Sequence, residues 1–210
     1  AHKNGVKTGC LYFIDWAASV TESSEAGKFL GQLCAKDGSG NFKYARKLIQ
    51  FLKYYGIDGI GINPEGYWSS TLNENFSSFL AECHKVAKEE NWPFHVDWYA
   101  FVSNSGGLSD NGCSLGIGEN DKWFQKNGEP VTDVFFLNYN WGESQLIKSA
   151  EAAKSLGRST FDVYAGFDQQ GRGYGLKWSA LMRQPVSVVV WGAHDRSQLY
   201  ASSTEGGTSD

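Results

Sequence analysis

The chain has 210 residues, 41% of them hydrophobic and 20% charged, with a formal net charge of −4. That is enough to bury one sizeable core in an ordinary globular domain. Lys and Arg are scattered, so nothing points to a nucleic acid or other polyanion partner, and no apolar run approaches the roughly 18 residues a membrane-spanning helix needs. Ala1-His2-Lys3-Asn4 is neither a start methionine nor a signal peptide, and the chain looks excised from something longer.

The predicted elements alternate. Val6 to Ile14 reads as a buried strand, and Asn41 opens a helix with Phe42, Ala45, Leu48, Ile49 and Leu52 at helical spacing, closed by Gly56. Ile57 to Ile62 is a second strand, and a helix over about Asn73 to Glu90 follows. Then come strand Phe94 to Phe101, a Gly/Ser/Asn-rich loop from Ser103 to Asn120, strand Asp133 to Leu137 and helix Ser144 to Leu156. Strand Phe161 to Phe167, a short helix near Leu176 to Met182 and strand Val186 to Trp191 complete the series, ahead of a polar tail from Ala201 to Asp210. Strands alternating with helices imply α/β architecture with a parallel sheet, either doubly wound or a (β/α)8 barrel. No GxGxxG follows a strand, which leaves the dinucleotide-binding version without support. Cys10, Cys34, Cys83 and Cys113 lack the spacing of a zinc site, and Cys10 and Cys83 are expected as small buried apolar residues.

Active sites of parallel barrels sit at the C-terminal ends of the strands. Here those ends read Asp15-Trp16, Asn63-Pro64-Glu65, Asp97-Trp98-Tyr99, Asn138-Tyr139-Asn140-Trp141, Gly166-Phe167-Asp168 and Trp191-Gly192-Ala193-His194-Asp195. Each alone is explained by an aromatic capping the core or an acid capping a helix. Together they suit a sugar, whose C–H faces stack on rings and whose hydroxyls need fixed hydrogen-bond partners. In Asn63-Pro64-Glu65, Pro64 fixes its own φ and restricts Asn63 to extended conformations, so both side chains lean into one pocket from a stiff segment.

At these residues the sequence resembles glycoside hydrolase family 85. The stretch Ala45-Arg46-Lys47-Leu48 to Tyr54-Tyr55-Gly56-Ile57-Asp58-Gly59, leading into Ile62-Asn63-Pro64-Glu65, is similar to that family's catalytic segment. Ala1 to Val6 with Asp15-Trp16, Trp98-Tyr99, Phe136 to Trp141 and Asp162 to Asp168 follow in the family's order. The resemblance implies a (β/α)8 barrel with about six βα units within residues 1–200, its first two strands preceding Ala1 and supplied by the intact protein. It implies an endo-β-N-acetylglucosaminidase acting on N-glycans or glycoproteins, without a cofactor or metal.

The implied mechanism is substrate-assisted, with Glu65 as acid/base and Asn63 orienting the 2-acetamido group. Tyr99 is expected at the same group, Trp16, Trp141 and Trp191 as walls, Trp98 and Asn138 as further substrate contacts, and Asp168 as either a hydroxyl ligand or a helix cap. Departures from the family are Ala100 after Trp98-Tyr99, the missing Trp-Gln between Leu108 and Trp123, and the Trp191 to Asp195 ending; they bear on glycan preference, as does the groove-shaping expected of loop Ser103 to Asn120. Two alternatives stand beside this reading: a retaining glycosidase with Asp168 or Asp97 as nucleophile, its carboxyls roughly 5 Å apart, and a non-catalytic glycan-binding module. A secreted or bacterial cell-envelope location is expected over a cytoplasmic one.

Overall fold

The computed structural model describes residues 2–14, 19–168 and 178–192. Six strands form one parallel sheet in sequential order: β1 (Gly9–Ile14), β2 (Gly59–Pro64), β3 (His95–Tyr99), β4 (Val134–Leu137), β5 (Val163–Asp168) and β6 (Ser187–Trp191). Between them run α1 (Glu25–Leu33), α2 (Ala45–Tyr55), α3 (Ser70–Glu89), α4 (Glu143–Ser155) and the short α5 (Trp178–Leu181). Sequential parallel pairing joined by helices is the pattern of a (β/α) barrel. The sheet curls: Leu11 on the first strand and Trp191 on the last line the same two cavities although four strands lie between them in the order.

Local chemistry sets the element ends. Ser24 caps α1 by accepting from Gly27 N at 3.1 Å, and Ser69 caps α3 by accepting from Leu72 N at 3.3 Å. Gly56 ends α2 in the left-handed region at φ 68°, where a side chain would be strained. The α2 helix begins at Ala45 instead of Asn41 because Asp37 Oδ1 accepts from Asn41 N at 3.0 Å, tying Asn41 into the turn of a hairpin bridged by Lys36 and Phe42. Helix α1 was not anticipated.

The core lies between the outer face of the sheet and the helices. Strand residues alternate: Val96, Trp98 and Ala100 are fully buried beneath α3 and the excursion after β3, whereas His95, Asp97 and Tyr99 face the concave side and are half-buried. Trp98 stacks on Trp123 with ring centroids 3.9 Å apart, and Trp68 and Phe76 pack edgewise or tilted around them. Residues 103–124 form a packed excursion with Leu115, Trp123 and Phe124 buried, held by Asn73 Nδ2 donating to Asn104 O at 2.7 Å and Asn120 Nδ2 donating to Ser114 O at 2.9 Å. Cys83 is buried as expected, but Cys10 is exposed, on a strand at the sheet's edge. The tail from Ala201 and the His194-Asp195 strand end lie outside the described residues.

Candidate active site

Two connected cavities open on the concave face. The inner, about 170 Å³, is lined by residues partway along the strands, among them Leu11, Asn63, Asp97, Tyr99, Phe136 and Val189. The outer, about 460 Å³, lies at the strand ends and is lined by Leu11, Phe13, Asn63, Glu65, Tyr139, Asp168 and Trp191. Leu11, Asn63, Tyr139 and Trp191 belong to both, so the two form one continuous space.

Asn63 and Glu65 meet there. On β2 the inner positions are Gly61 and Asn63, and Glu65 continues the same alternation one residue beyond the strand. Pro64 pairs with Ile14, and Glu65 N donates to Ile14 O at 2.9 Å, so the backbone beneath the acid is anchored to β1. Asn63 Nδ2 donates to Glu65 Oε1 at 2.9 Å. The other end of that amide, Asn63 Oδ1, is buried and has no hydrogen-bond partner among the described residues. An amide presents both a donor and an acceptor, and here the acceptor is left for something else.

The walls are aromatic. Tyr99, Phe136 and Tyr139 form a cluster, Tyr99 edge-on to Phe136 at 5.3 Å and tilted toward Tyr139 at 6.2 Å. Gly166 makes room for it, because a Cβ there would lie 2.4 Å from the Phe136 ring. Trp191 and Asp168 are register partners at the ends of β6 and β5 and face the outer cavity beside Glu65. Asp97 reaches into the inner cavity, and burial raises its carboxyl pKa, with His95 and Lys7 opposing that rise and Asp133 adding to it. No group of His, Cys, Asp and Glu among the described residues is arranged to hold a metal ion.

Several expected contacts fall elsewhere. Trp98 is fully buried on the outer face of β3, because the period-2 alternation that points Tyr99 inward points its neighbour outward. Trp141 is 2% exposed, donates from Nε1 to Gly166 O at 2.9 Å and packs edgewise on Phe167, so it braces β5 and offers no face to the cavity. Asn138 is buried: its Nδ2 donates to Asn111 O and its Oδ1 accepts from Tyr139 N, both at 2.7 Å, which fixes the turn that presents Tyr139. Among the described residues neither cavity is lined by the loop Ser103 to Asn120, whose Leu115 and Asn120 are buried in the packing of the excursion. Trp16 lies outside the described residues. Tyr139, Phe136 and Phe13 were not among the expected site residues; counting inner positions by twos from Tyr99 and Asn63 across the strands finds Phe136 and Phe13.

Known proteins resemble this chain in sequence and in fold. Residues 1–200 match the model of Glycosyl hydrolase family 85. The chain is 29% identical over 201 residues to cytosolic endo-beta-N-acetylglucosaminidase 2 of Arabidopsis thaliana, covering 91% of this chain and 26% of that protein. It is 28% identical over 173 residues to the cytosolic endo-beta-N-acetylglucosaminidase of Homo sapiens, covering 82% and 21%. The crystal structure of the glycoside hydrolase domain of Endo-D from Streptococcus pneumoniae R6 superposes with a TM-score of 0.74 at 27% identity, covering 86% of this chain and 29% of that one. The chain thus spans between about a fifth and a third of the length of these relatives. The expectation of a secreted or cell-envelope protein is corrected here, since these curated relatives are named as cytosolic enzymes. By its match over residues 1–200 and by its fold, the chain belongs to glycosyl hydrolase family 85.

Proposed function

We propose that the intact protein is an endo-β-N-acetylglucosaminidase that hydrolyses the β-1,4 bond of the N,N′-diacetylchitobiose core of N-glycans, with retention, through an oxazolinium intermediate. The observation that carries this reading is the pair formed at the cavities by Asn63 and Glu65: Nδ2 engages Glu65 Oε1 at 2.9 Å, and the buried Oδ1 has no hydrogen-bond partner among the described residues. A 2-acetamido N–H is a donor suited to that oxygen. With the N–H held, the acetamido carbonyl oxygen attacks the anomeric carbon and the bond to the leaving sugar breaks, while Glu65 gives its proton to the departing oxygen. Water then attacks the same carbon and passes a proton to the Glu65 carboxylate, and the ring of the intermediate opens. Positive charge grows on the acetamido group in the first step, so an N–H to Asn63 Oδ1 hydrogen bond strengthens in the transition state, where it lowers the barrier.

Tyr99 is the second contact to the acetamido group, Trp191 and Tyr139 are the faces for the sugar rings, and Asp168 is a hydroxyl ligand, in keeping with their places around the cavities. Trp16 remains a proposed wall. Two strands from outside this chain close the barrel in this reading, supported by Leu11 and Phe13, which are 56% and 52% exposed on the concave face of β1.

A thiazoline analogue of the cyclised intermediate tests the mechanism on the intact protein. Competitive inhibition is expected, together with loss of glycopeptide hydrolysis in Glu65→Gln. A covalent glycosyl ester trapped on Asp168 or Asp97 would overturn the substrate-assisted route in favour of a protein nucleophile.

A further inference from the structure

Below the Asn63–Glu65 pair the inner cavity runs down the strands to Asp97. Asp97 and Tyr99 are consecutive inner residues of β3, roughly 7 Å apart along the strand. Asp97 is in register with Gly61 on β2 and Val134 on β4. Gly61 brings no side chain, so the space in front of the carboxyl stays open, and the other walls at this depth include Leu11, Val134 and Val189, all apolar. The Asp97 side chain is 44% exposed there: its Oδ1 is buried, without a hydrogen-bond partner among the described residues and 3.7 Å from His95 Nε2, in ion-pair range, while the rest of the carboxylate faces the cavity. A carboxylate facing an otherwise apolar cavity is an acceptor for a donor placed there.

We propose that Asp97 is a specificity-determining residue that reads the acyl tail of the substrate's 2-amido group and selects a hydroxylated acyl chain, such as N-glycolyl, over an apolar chain of equal length. The inference rests on the proposed function, since it takes a 2-acylamido sugar held by Asn63 and Tyr99 as its starting point. With the sugar rings at the rim beside Trp191 and Tyr139, the acyl chain points down the cavity toward Asp97. An acetyl methyl carries no donor for the carboxyl. In this reading one further atom, the hydroxyl of a glycolyl group, brings a donor to that carboxylate. The chemistry is unchanged, because the glycolyl carbonyl oxygen closes the same five-membered ring.

The test uses the intact protein and three disaccharide oxazoline donors that differ only in the acyl group: acetyl, glycolyl and propionyl. The expected kcat/KM for glycolyl exceeds that for propionyl by about fivefold, the ratio that one ordinary hydrogen bond supports. Asp97→Leu is expected to bring that ratio to one or below. Each ratio is taken within a single protein preparation, so a smaller folded fraction in the variant cancels. Gly61→Ala is a second probe: its Cβ would sit 3.4 Å from Leu11 Cδ1, an ordinary contact, and would narrow the space before Asp97, lowering both longer donors relative to acetyl. A wild-type protein that turns over the acetyl donor yet uses propionyl as well as glycolyl overturns the role of Asp97 and leaves the enzyme reading standing. A protein that turns over none of the three overturns both.

Discussion

Replacing Trp98 separates a core role from a binding role. Its ring is fully buried, stacked on Trp123 at 3.9 Å and flanked by Trp68, with no part facing either cavity. Truncation to Ala removes a large buried aromatic and leaves a cavity, which costs about 3–5 kcal/mol. For a domain of this size that lowers the unfolding midpoint by roughly 6–20 °C. Trp98→Phe behaves differently. The indole Nε1 is buried without a hydrogen-bond partner among the described residues, so Phe keeps a ring in the stack and removes an unsatisfied donor, whose burial by itself costs about 1–3 kcal/mol. Thermal unfolding of the intact protein followed by circular dichroism, with glycan binding measured well below the midpoint, is the assay. The expected result is a large drop for Ala, a small change for Phe and unaltered binding in both folded variants. If Trp98→Ala kept its midpoint and lost glycan affinity, the assignment of Trp98 to the core would be wrong.

Two further outcomes follow from burial. Cys34 and Cys83 are buried and their thiols are pushed up, that of Cys34 to about 12, whereas Cys10 is exposed. A thiolate-directed alkylating reagent should therefore modify Cys10 in the native protein and spare those two until denaturant is added, as peptide mass mapping will show. Asp97 gives a pH signature: a carboxyl whose folded-state pKa is raised above its unfolded value stabilises the fold below the unfolded value and loses that contribution as pH rises through the folded one. Asp97→Asn has no such loss. The variant should gain on the wild type between the ordinary carboxylate value of 3.8 and neutrality, and an equal difference in midpoint at both ends of that range would contradict the burial of the charge.

Much of the fold was legible because each strand is a short apolar, β-branched run bounded by turn residues, and the six predicted strands lie within a few residues of the observed ones. Helix α1 escaped because Gly27 and Gly31 interrupt its apolar positions Ala26, Leu30 and Leu33. Gly27 is required by packing, since a Cβ there would lie 1.7 Å from Thr21 O, a tertiary reason that local pattern does not carry. The convergence of Asn63 and Glu65 was readable from strand alternation and the stiff Pro64 between them. The same alternation, applied to β3, separates Tyr99 from Trp98 and joins Asp97 to Tyr99 on the concave side. Trp141 and Asn138 were harder. Both follow the end of β4, where the chain turns toward α4, and their partners Gly166 and Asn111 come from distant segments that no single-strand pattern reveals.

The most direct measurement compares two donors for Asn63→Ala in the intact protein: an N-glycopeptide, which must form the oxazolinium ring on the enzyme, and a preformed oxazoline, which enters after that step. A loss of at least about a hundredfold in kcat is expected on the glycopeptide, the scale of removing one preorganised hydrogen-bond partner of the transition state. On the oxazoline the expected loss is less than about tenfold, because only the support of Glu65 through the 2.9 Å hydrogen bond is missing. Equal losses on both donors would contradict the assignment of Asn63 to the acetamido group.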